Sequence, residues 1–176
     1  MKVKNEKIII IGGSGSGKDH LKRGLIKLGL RYSPKFTTRP KRELEVHGED
    51  YDFIDYNLYV DLHNQKKIKT TQSFLINGDV WYYGITKENW ISNQLFIMTP
   101  EELCQLSKTE LKECFVVYLN IDIETRRARI AKRNDSNDSI ERRLKSDESD
   151  FKDFNYYDLG ITDPEFDAVW IYDLMS

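Results

Sequence analysis

The chain has little cysteine and little histidine. Two cysteines and three histidines occur among its 176 residues. Cys104 and Cys114 stand apart from any histidine, whereas a zinc site needs closely spaced pairs and four ligands. They read as reduced thiols, and a disulfide scaffold is excluded. A surplus of one charge is missing too. Lys and Arg number 27 against 29 Asp and Glu, for a formal net charge of −2. A nucleic-acid-binding domain would be strongly basic, so no nucleic-acid partner is expected, although a local basic site for a small anion remains compatible. Long apolar runs are also lacking. The run near the start, Ile8 to Ile11, is far short of a signal core or of the roughly 20 residues that span a membrane. No membrane association and a cytoplasmic location are expected. No repeat, low-complexity tract or linker stands out. A content of 39% hydrophobic and 32% charged residues is that of an ordinary globular protein, and the length suits one domain, 1–176.

What is present has a clear order. Ile8 to Ile11 is a β-branched run ending in glycines, the pattern of a strand buried on both faces. Asp19 to Leu28 follows as a helix with an apolar stripe at Leu21, Leu25 and Leu28. Tyr32 to Asp61 reads as short strands and loops, and Ser73 to Gly84 as a hairpin turning at Asn77-Gly78. Leu95 to Met98 and Cys114 to Ile121 are further apolar runs, with a helical stretch around Glu101 to Glu113 between them. Glu124 to Lys132 reads as a basic helix, Asn134 to Ser139 as a loop, and a second helix starts near Ile140. Val169 to Tyr172 is expected to be a last short strand. The order predicts an α/β fold: a parallel sheet flanked by helices, with a small β-rich insertion after the first helix.

Gly12-Gly13-Ser14-Gly15-Ser16-Gly17-Lys18 fits G-x-x-x-x-G-K between that strand and that helix. Glycines let successive backbone N–H groups converge on phosphate oxygens, and the lysine reaches the β- and γ-phosphates. The helix N-terminus adds partial positive charge. Gly13 to Lys18, with the Asp19 that follows, are thus candidate ATP-binding residues, and Lys18 is also catalytic. The position after the lysine, commonly Ser or Thr for Mg²⁺, is Asp19. A carboxylate is a hard oxygen ligand, so Asp19 is the candidate Mg²⁺ residue.

The stretch Thr37-Thr38-Arg39-Pro40-Lys41-Arg42-Glu43-Leu44-Glu45-Val46-His47-Gly48-Glu49-Asp50-Tyr51-Asp52-Phe53 closely resembles the guanylate kinase pattern T-T-R-x-x-R-x-x-E-x-x-G-x-D-Y-x-F. Two arginines three apart with a nearby tyrosine also suit a phosphate dianion on their own chemistry, through guanidinium forks and a directional hydroxyl. The resemblance covers most of the chain and implies a P-loop nucleoside monophosphate kinase fold. It assigns core to 1–31 and 90–176, an acceptor-binding segment to about 32–89, and a short helical lid to about 126–143. It implies that Arg39, Arg42, Glu45, Tyr51 and Tyr83 hold the acceptor. It places Arg129, Arg133 and Arg143 as catalytic lid arginines, with Arg126, Arg127 and Arg142 adding charge. Such groups would neutralise the transferring phosphoryl group and exclude water. No general base is evident, and an anionic acceptor phosphate requires none.

The base-reading positions depart from the family. Its glutamate after Phe-Leu becomes Ile76, with Asp79 a substitute only in a shifted alignment, and the residue after Tyr-Gly becomes Ile85. A serine becomes Lys35, D-x-D-x-x-G becomes Met98-Thr99-Pro100-Glu101-Glu102, and the asparagine near the ATP base becomes Tyr172. Phosphate-gripping residues match while base-reading ones do not, which implies altered or relaxed base choice. Three readings stay open: a kinase acting on GMP, dGMP or another nucleotide; a ribose 1,5-bisphosphate phosphokinase, favoured by Asp19; and a non-catalytic protein-binding module.

Overall fold

The computed structural model describes residues 7–76, 78–132 and 139–175. Strand β1 (Lys7–Gly12) is the axis of the molecule. Its isoleucines alternate between two faces. Ile8 and Ile10 enter a hydrophobic cluster with Leu21, Leu25 and Ile171, while Ile9 and Ile11 join Trp90, Phe96 and Leu103 on the other side. With both faces covered, a central parallel strand has no place for alternating polar residues. Strands β6 (Leu95–Ile97) and β7 (Cys114–Leu119) flank it, and β8 (Leu159–Ile161) pairs with β7. All pairings are parallel, and the order is β6-β1-β7-β8. Helix α1 (Lys18–Lys27) packs Leu21 and Leu25 against this sheet.

A second sheet is built from β2 (Lys35–Thr37), β3 (Tyr51–Phe53), β4 (Ile68–Ile76) and β5 (Asp79–Thr86), in the order β3-β2-β5-β4. The β4–β5 hairpin sets Thr70 opposite Ile85, Gln72 opposite Tyr83 and Phe74 opposite Trp81. A Cβ on Gly84 would lie 2.1 Å from the Thr70 carbonyl oxygen and 2.6 Å from the Phe36 ring, so only glycine lets these strands close. Gly78, with φ of 91°, makes the turn; Asn77 lies outside the described residues.

Several expected elements change. Val169 to Tyr172 is not a strand but part of helix α8 (Ala168–Leu174), and the last strand is β8. The Asp167 side chain accepts the Val169 N–H and starts the helix. Ala168, Ile171 and Met175 then fall on one buried stripe at helical spacing, whereas Trp170 is half exposed. Tyr56–Asn64, expected as loop, is helix α2, started by Asp55 accepting from Leu58 N–H. Lys87–Ser92 is a further short helix, α3, capped by Thr86. The single helical stretch at 101–113 divides into α4 (Pro100–Leu103) and α5 (Lys108–Lys112), each begun by its own capping box, Thr99 with Glu102 and Ser107 with Glu110. The basic helix is α6 (Ile123–Lys132), and α7 (Ile140–Phe151) starts at the Ser139 cap. The expected loop falls at 134–138, outside the described residues.

The helical assignment of the C-terminal segment has a measurable consequence. Ile171→Ala should destabilise the protein by about 2–4 kcal/mol through loss of buried surface and a residual cavity. Trp170→Ala, at a half-exposed neighbour, should cost less than about 1 kcal/mol. Urea unfolding of the two variants checks the difference; equal costs would contradict the helix.

Candidate active site

The glycine loop joins the C-terminal end of β1 to the N-terminus of α1, where its N–H groups face outward from the sheet. Gly15 and Gly17 have φ of 76° and 100°, a region that a side chain disfavours. A Cβ on Gly13 would meet Arg126 Nη1 at 2.0 Å, so the guanidinium carried by helix α6 lies directly against the bare loop backbone. Lys18 bends back over the loop and donates to the carbonyl oxygens of Gly12 and Gly13 at 2.6 and 2.8 Å.

Helix α7 contributes a group that sequence reasoning missed. The Asp147 carboxylate accepts the Ser14 backbone N–H at 2.7 Å and a hydrogen bond from Arg126 Nη1 at 2.8 Å. An anion therefore already sits on one donor of the phosphate cradle. Arg129 takes the other side of the loop, donating to Pro164 O at 2.7 Å and lying 3.4 Å from Ser16 O. It borders a cavity of about 450 Å³ with Gly15, Gly17, His20, Pro164 and Phe166. This cavity adjoins the loop after β8, which contributes Pro164, Glu165 and Phe166 to its wall. Tyr172, which stands where the family's asparagine would be, is on α8 and packs against the core.

Asp19 borders the same cavity and a second one beside Ser14 and Lys18, and pairs with Lys22 at 3.3 Å. Among the described residues no cluster of three or more His, Cys, Asp or Glu offers a metal cage. Mg²⁺ in phosphoryl-transfer sites is held largely by phosphates and water with one or two carboxylates, and the half-exposed Asp19 fits that demand.

Across the cleft, the second sheet presents the expected acceptor residues. Arg42, Glu45 and Tyr51 border a cavity of about 280 Å³ together with Ser14, Lys18, Asp19 and Arg143. Tyr83 lines an adjoining cavity of about 250 Å³, shared with Lys18, Arg42, Tyr51, Arg142 and Arg143. Arg39 is set behind them. Its side chain is 5% exposed, and its guanidinium donates to Glu45 Oε1 at 2.6 Å and to Pro40 O at 2.7 Å and lies over the Tyr51 ring. Burial opposes both charges of this pair. The hydrogen bond between them wins, raising Arg39 above its usual range and, with the Arg42 N–H, holding Glu45 below its own. Glu45 thus stays ionised and orders the turn that carries Arg42. Burial, with Tyr83 beside it, pushes the Tyr51 phenol up, so it remains a neutral donor.

The lid residues divide. Arg143 and Arg142, on α7, border the cleft, and Arg126 and Arg129, on α6, hold the glycine loop. Arg127 pairs with Glu141 between the two helices. Arg133 lies outside the described residues. At the far end of the 250 Å³ cavity, Lys35 makes a buried ion pair with Glu102, and Gln72, Phe74, Ile76, Trp81, Met98 and Thr99 complete the wall. Lys35 and the 98–102 segment were legible only as departures from a pattern; no sequence signal pointed to Gln72.

A glycine loop on a parallel sheet, facing an arginine–tyrosine cluster across a cleft, defines a P-loop phosphotransferase. The guanylate kinase family model matches residues 4–172, and the chain belongs to that family. It is 31% identical over 170 residues to guanylate kinase from Nostoc sp., covering 92% of this chain and 83% of that protein. Guanylate kinase from Rickettsia felis is also 31% identical, over 178 residues, covering 95% and 91%. Among solved structures, guanylate kinase from Anaplasma phagocytophilum superposes with a TM-score of 0.64 at 17% identity, covering 99% of this chain and 84% of that one, which supports the fold.

The Asp147 contact yields a prediction. Asp147→Asn removes a negative charge that competes for the Ser14 N–H and leaves Arg126 available to an incoming phosphate. ATP binding should tighten by roughly 1 kcal/mol, about fivefold in Kd. Titration with a fluorescent ATP analogue measures it, and weaker binding in the variant would mean that Asp147 supports the cradle.

Proposed function

We propose that the chain transfers the γ-phosphoryl group of ATP to the phosphate of a nucleoside monophosphate. GMP and dGMP are the acceptors to which the relatives' names point, and another nucleotide is compatible with the departures at the base end. The observation that carries the reading is one cleft bordered by Ser14 and Lys18 on one side, Arg42, Tyr51 and Tyr83 on the other, and Arg143 between. Such a cleft accepts two phosphorylated molecules end to end.

The difficulty of this reaction is bringing two anions together, since the acceptor phosphate is already nucleophilic near neutral pH. Arg42 and the hydroxyls of Tyr51 and Tyr83 hold the acceptor phosphate. Glu45 fixes Arg42 through its backbone N–H, 2.8 Å away, and Arg39 fixes Glu45. Lys18 leaves the Gly12 and Gly13 carbonyls for the β- and γ-phosphates. Arg143 reaches into the gap from α7, where it meets charge that moves onto the equatorial oxygens during transfer. Closure of α6 and α7 would exclude water and suppress hydrolysis. Bound Mg²⁺, held by Asp19 together with phosphates and water, would neutralise phosphate charge.

The protein is read as acting in the cytoplasm on small nucleotides, without nucleic acid or membrane as partner. Among the described residues no helix is long and apolar enough to cross a membrane. Ribose 1,5-bisphosphate remains the second acceptor to try, because Asp19 follows the loop lysine.

A coupled ADP-release assay with ATP against the common ribo- and deoxyribonucleoside monophosphates and ribose 1,5-bisphosphate tests the proposal. At least one monophosphate should be phosphorylated. Lys18→Ala should reduce kcat roughly 100-fold or more while leaving the melting temperature close to wild type. Wild-type turnover in that variant would remove the loop from the mechanism. Release of ADP with ribose 1,5-bisphosphate alone would replace the acceptor assignment.

A further inference from the structure

The wall facing the acceptor's base is polar in a particular arrangement. Lys35 comes from β2, Gln72 from β4, and Thr99 and Glu102 from the cap and first turn of α4. Lys35 and Gln72 are buried, and Glu102 is fully so. The Lys35 ammonium donates to Glu102 Oε2. Thr99 N–H donates to the same oxygen at 3.0 Å, and the Thr70 hydroxyl lies 3.4 Å from Oε1. Lys35 borders both this cavity and the 280 Å³ cavity beside Ser14 and Lys18, and because Glu102 is tied to Thr99 and Thr70, the ion pair is anchored at this end. Thr99 Oγ1 lies 2.7 Å from Gln72 Oε1 and 3.3 Å from Glu102 Oε2, and its one proton goes to the nearer oxygen, on Gln72.

What remains for a ligand follows from valence. An ammonium has three protons, and only one is used on Glu102 among the described residues. The Gln72 carbonyl oxygen keeps a second lone pair, and the Gln72 amide nitrogen, facing the cavity, makes no hydrogen bond among the described residues. Glu102 has no exposed oxygen to offer. The wall therefore presents donor, acceptor, donor: Lys35 Nζ, Gln72 Oε1, Gln72 Nε2. Phe74, Trp81 and Met98 beside them supply apolar surface for the faces of a ring.

Resting on the monophosphate-kinase reading above, we infer that Lys35 and Gln72 are specificity-determining residues selecting an imide base, uracil or thymine, over guanine. An imide edge runs carbonyl oxygen, N–H, carbonyl oxygen, and meets each of the three groups with its complement. Guanine matches Lys35 through O6 and Gln72 Oε1 through N1–H, but its 2-amino group then faces the Gln72 amide nitrogen, donor against donor. Adenine and cytosine turn an amino group toward the Lys35 ammonium. A buried polar group left unmatched is what gives hydrogen-bonding pockets their discrimination. Asp150, the other carboxylate bordering this end, belongs to α7 and stands on the exposed rim.

The test is kcat/KM with saturating ATP for dTMP, UMP, GMP, dGMP, AMP and CMP, in the wild type and in Gln72→Glu. The wild type should favour dTMP or UMP over GMP by roughly tenfold or more. Gln72→Glu keeps the ion pair and replaces the outer donor with an acceptor, so the dTMP:GMP ratio should fall at least roughly tenfold. Lys35→Met combined with Glu102→Leu removes the ion pair without stranding a buried charge, and should cut the preference over AMP and CMP. A wild-type preference for GMP with an unchanged ratio in Gln72→Glu overturns the inference and leaves the kinase reading standing. A GMP preference abolished by Asp150→Asn also overturns it, by moving the base reader to α7. Absence of any phosphorylated nucleotide overturns both.

Discussion

Repulsion between two phosphate groups is the constraint that organises this molecule. Two anions held end to end repel strongly in a site from which water is excluded. Cationic groups must therefore enter from several directions without repelling one another when the site is empty. The structure meets this demand by giving the cations internal partners: Lys18 to loop carbonyls, Arg126 to Asp147, Arg39 to Glu45 and Arg127 to Glu141. The fold supplies rigidity beneath them. β1 is locked by isoleucines on both faces, so the glycine loop at its end starts from a fixed point. The hairpin of the second sheet carries Tyr83 with equal definition, because Gly84 allows contact between backbones that any side chain would prevent.

Much of this was legible in the sequence, for identifiable reasons. The Ile8–Ile11 run and the glycine loop are local signals, because a strand buried on both faces and a positive-φ turn each restrict residue type directly. Arg39, Arg42, Glu45 and Tyr51 lie close together in one short segment, so the chain itself brings them near one another. What sequence could not provide was the division of labour among them. Arg39 and Arg42 are chemically alike, yet one is a buried brace and the other faces the cleft.

The failures have equally physical causes. Val169 to Tyr172 is β-branched or aromatic at all four positions and reads locally as a strand. Asp167 at its start and the distant stripe made by Ala168, Ile171 and Met175 decide for helix, because tertiary burial outweighs local propensity. That shift placed Tyr172 on α8 and left strand β8, with the loop that follows it, unrecognised. Asp147 and Arg126 stand on different helices and reach Ser14 across the whole length of the core chain. Lys35, Gln72 and Glu102 likewise come from three elements. No spacing rule reveals such sets, since each is assembled by the packing of elements distant in sequence.

The internal pairing of cations has a consequence for how the two halves of the cleft communicate. An arginine held by a carboxylate costs free energy to release, and that cost is recovered only when phosphate replaces the carboxylate. Asp147 belongs to the same helix as Arg142 and Arg143, and those arginines border the acceptor cavity. On the proposed reading, a phosphate arriving at Ser14 would displace Asp147, and the displacement would act on the helix that carries Arg142 and Arg143. Filling the ATP side thus alters the electrostatic environment of the other side through a single rigid element, without a relay of intermediate residues. By the same linkage, an acceptor that draws Arg143 inward biases α7 and the position of Asp147 over the loop. On that reading, the carboxylate that accepts the Ser14 N–H would also be the point at which occupancy of one site is felt by the other.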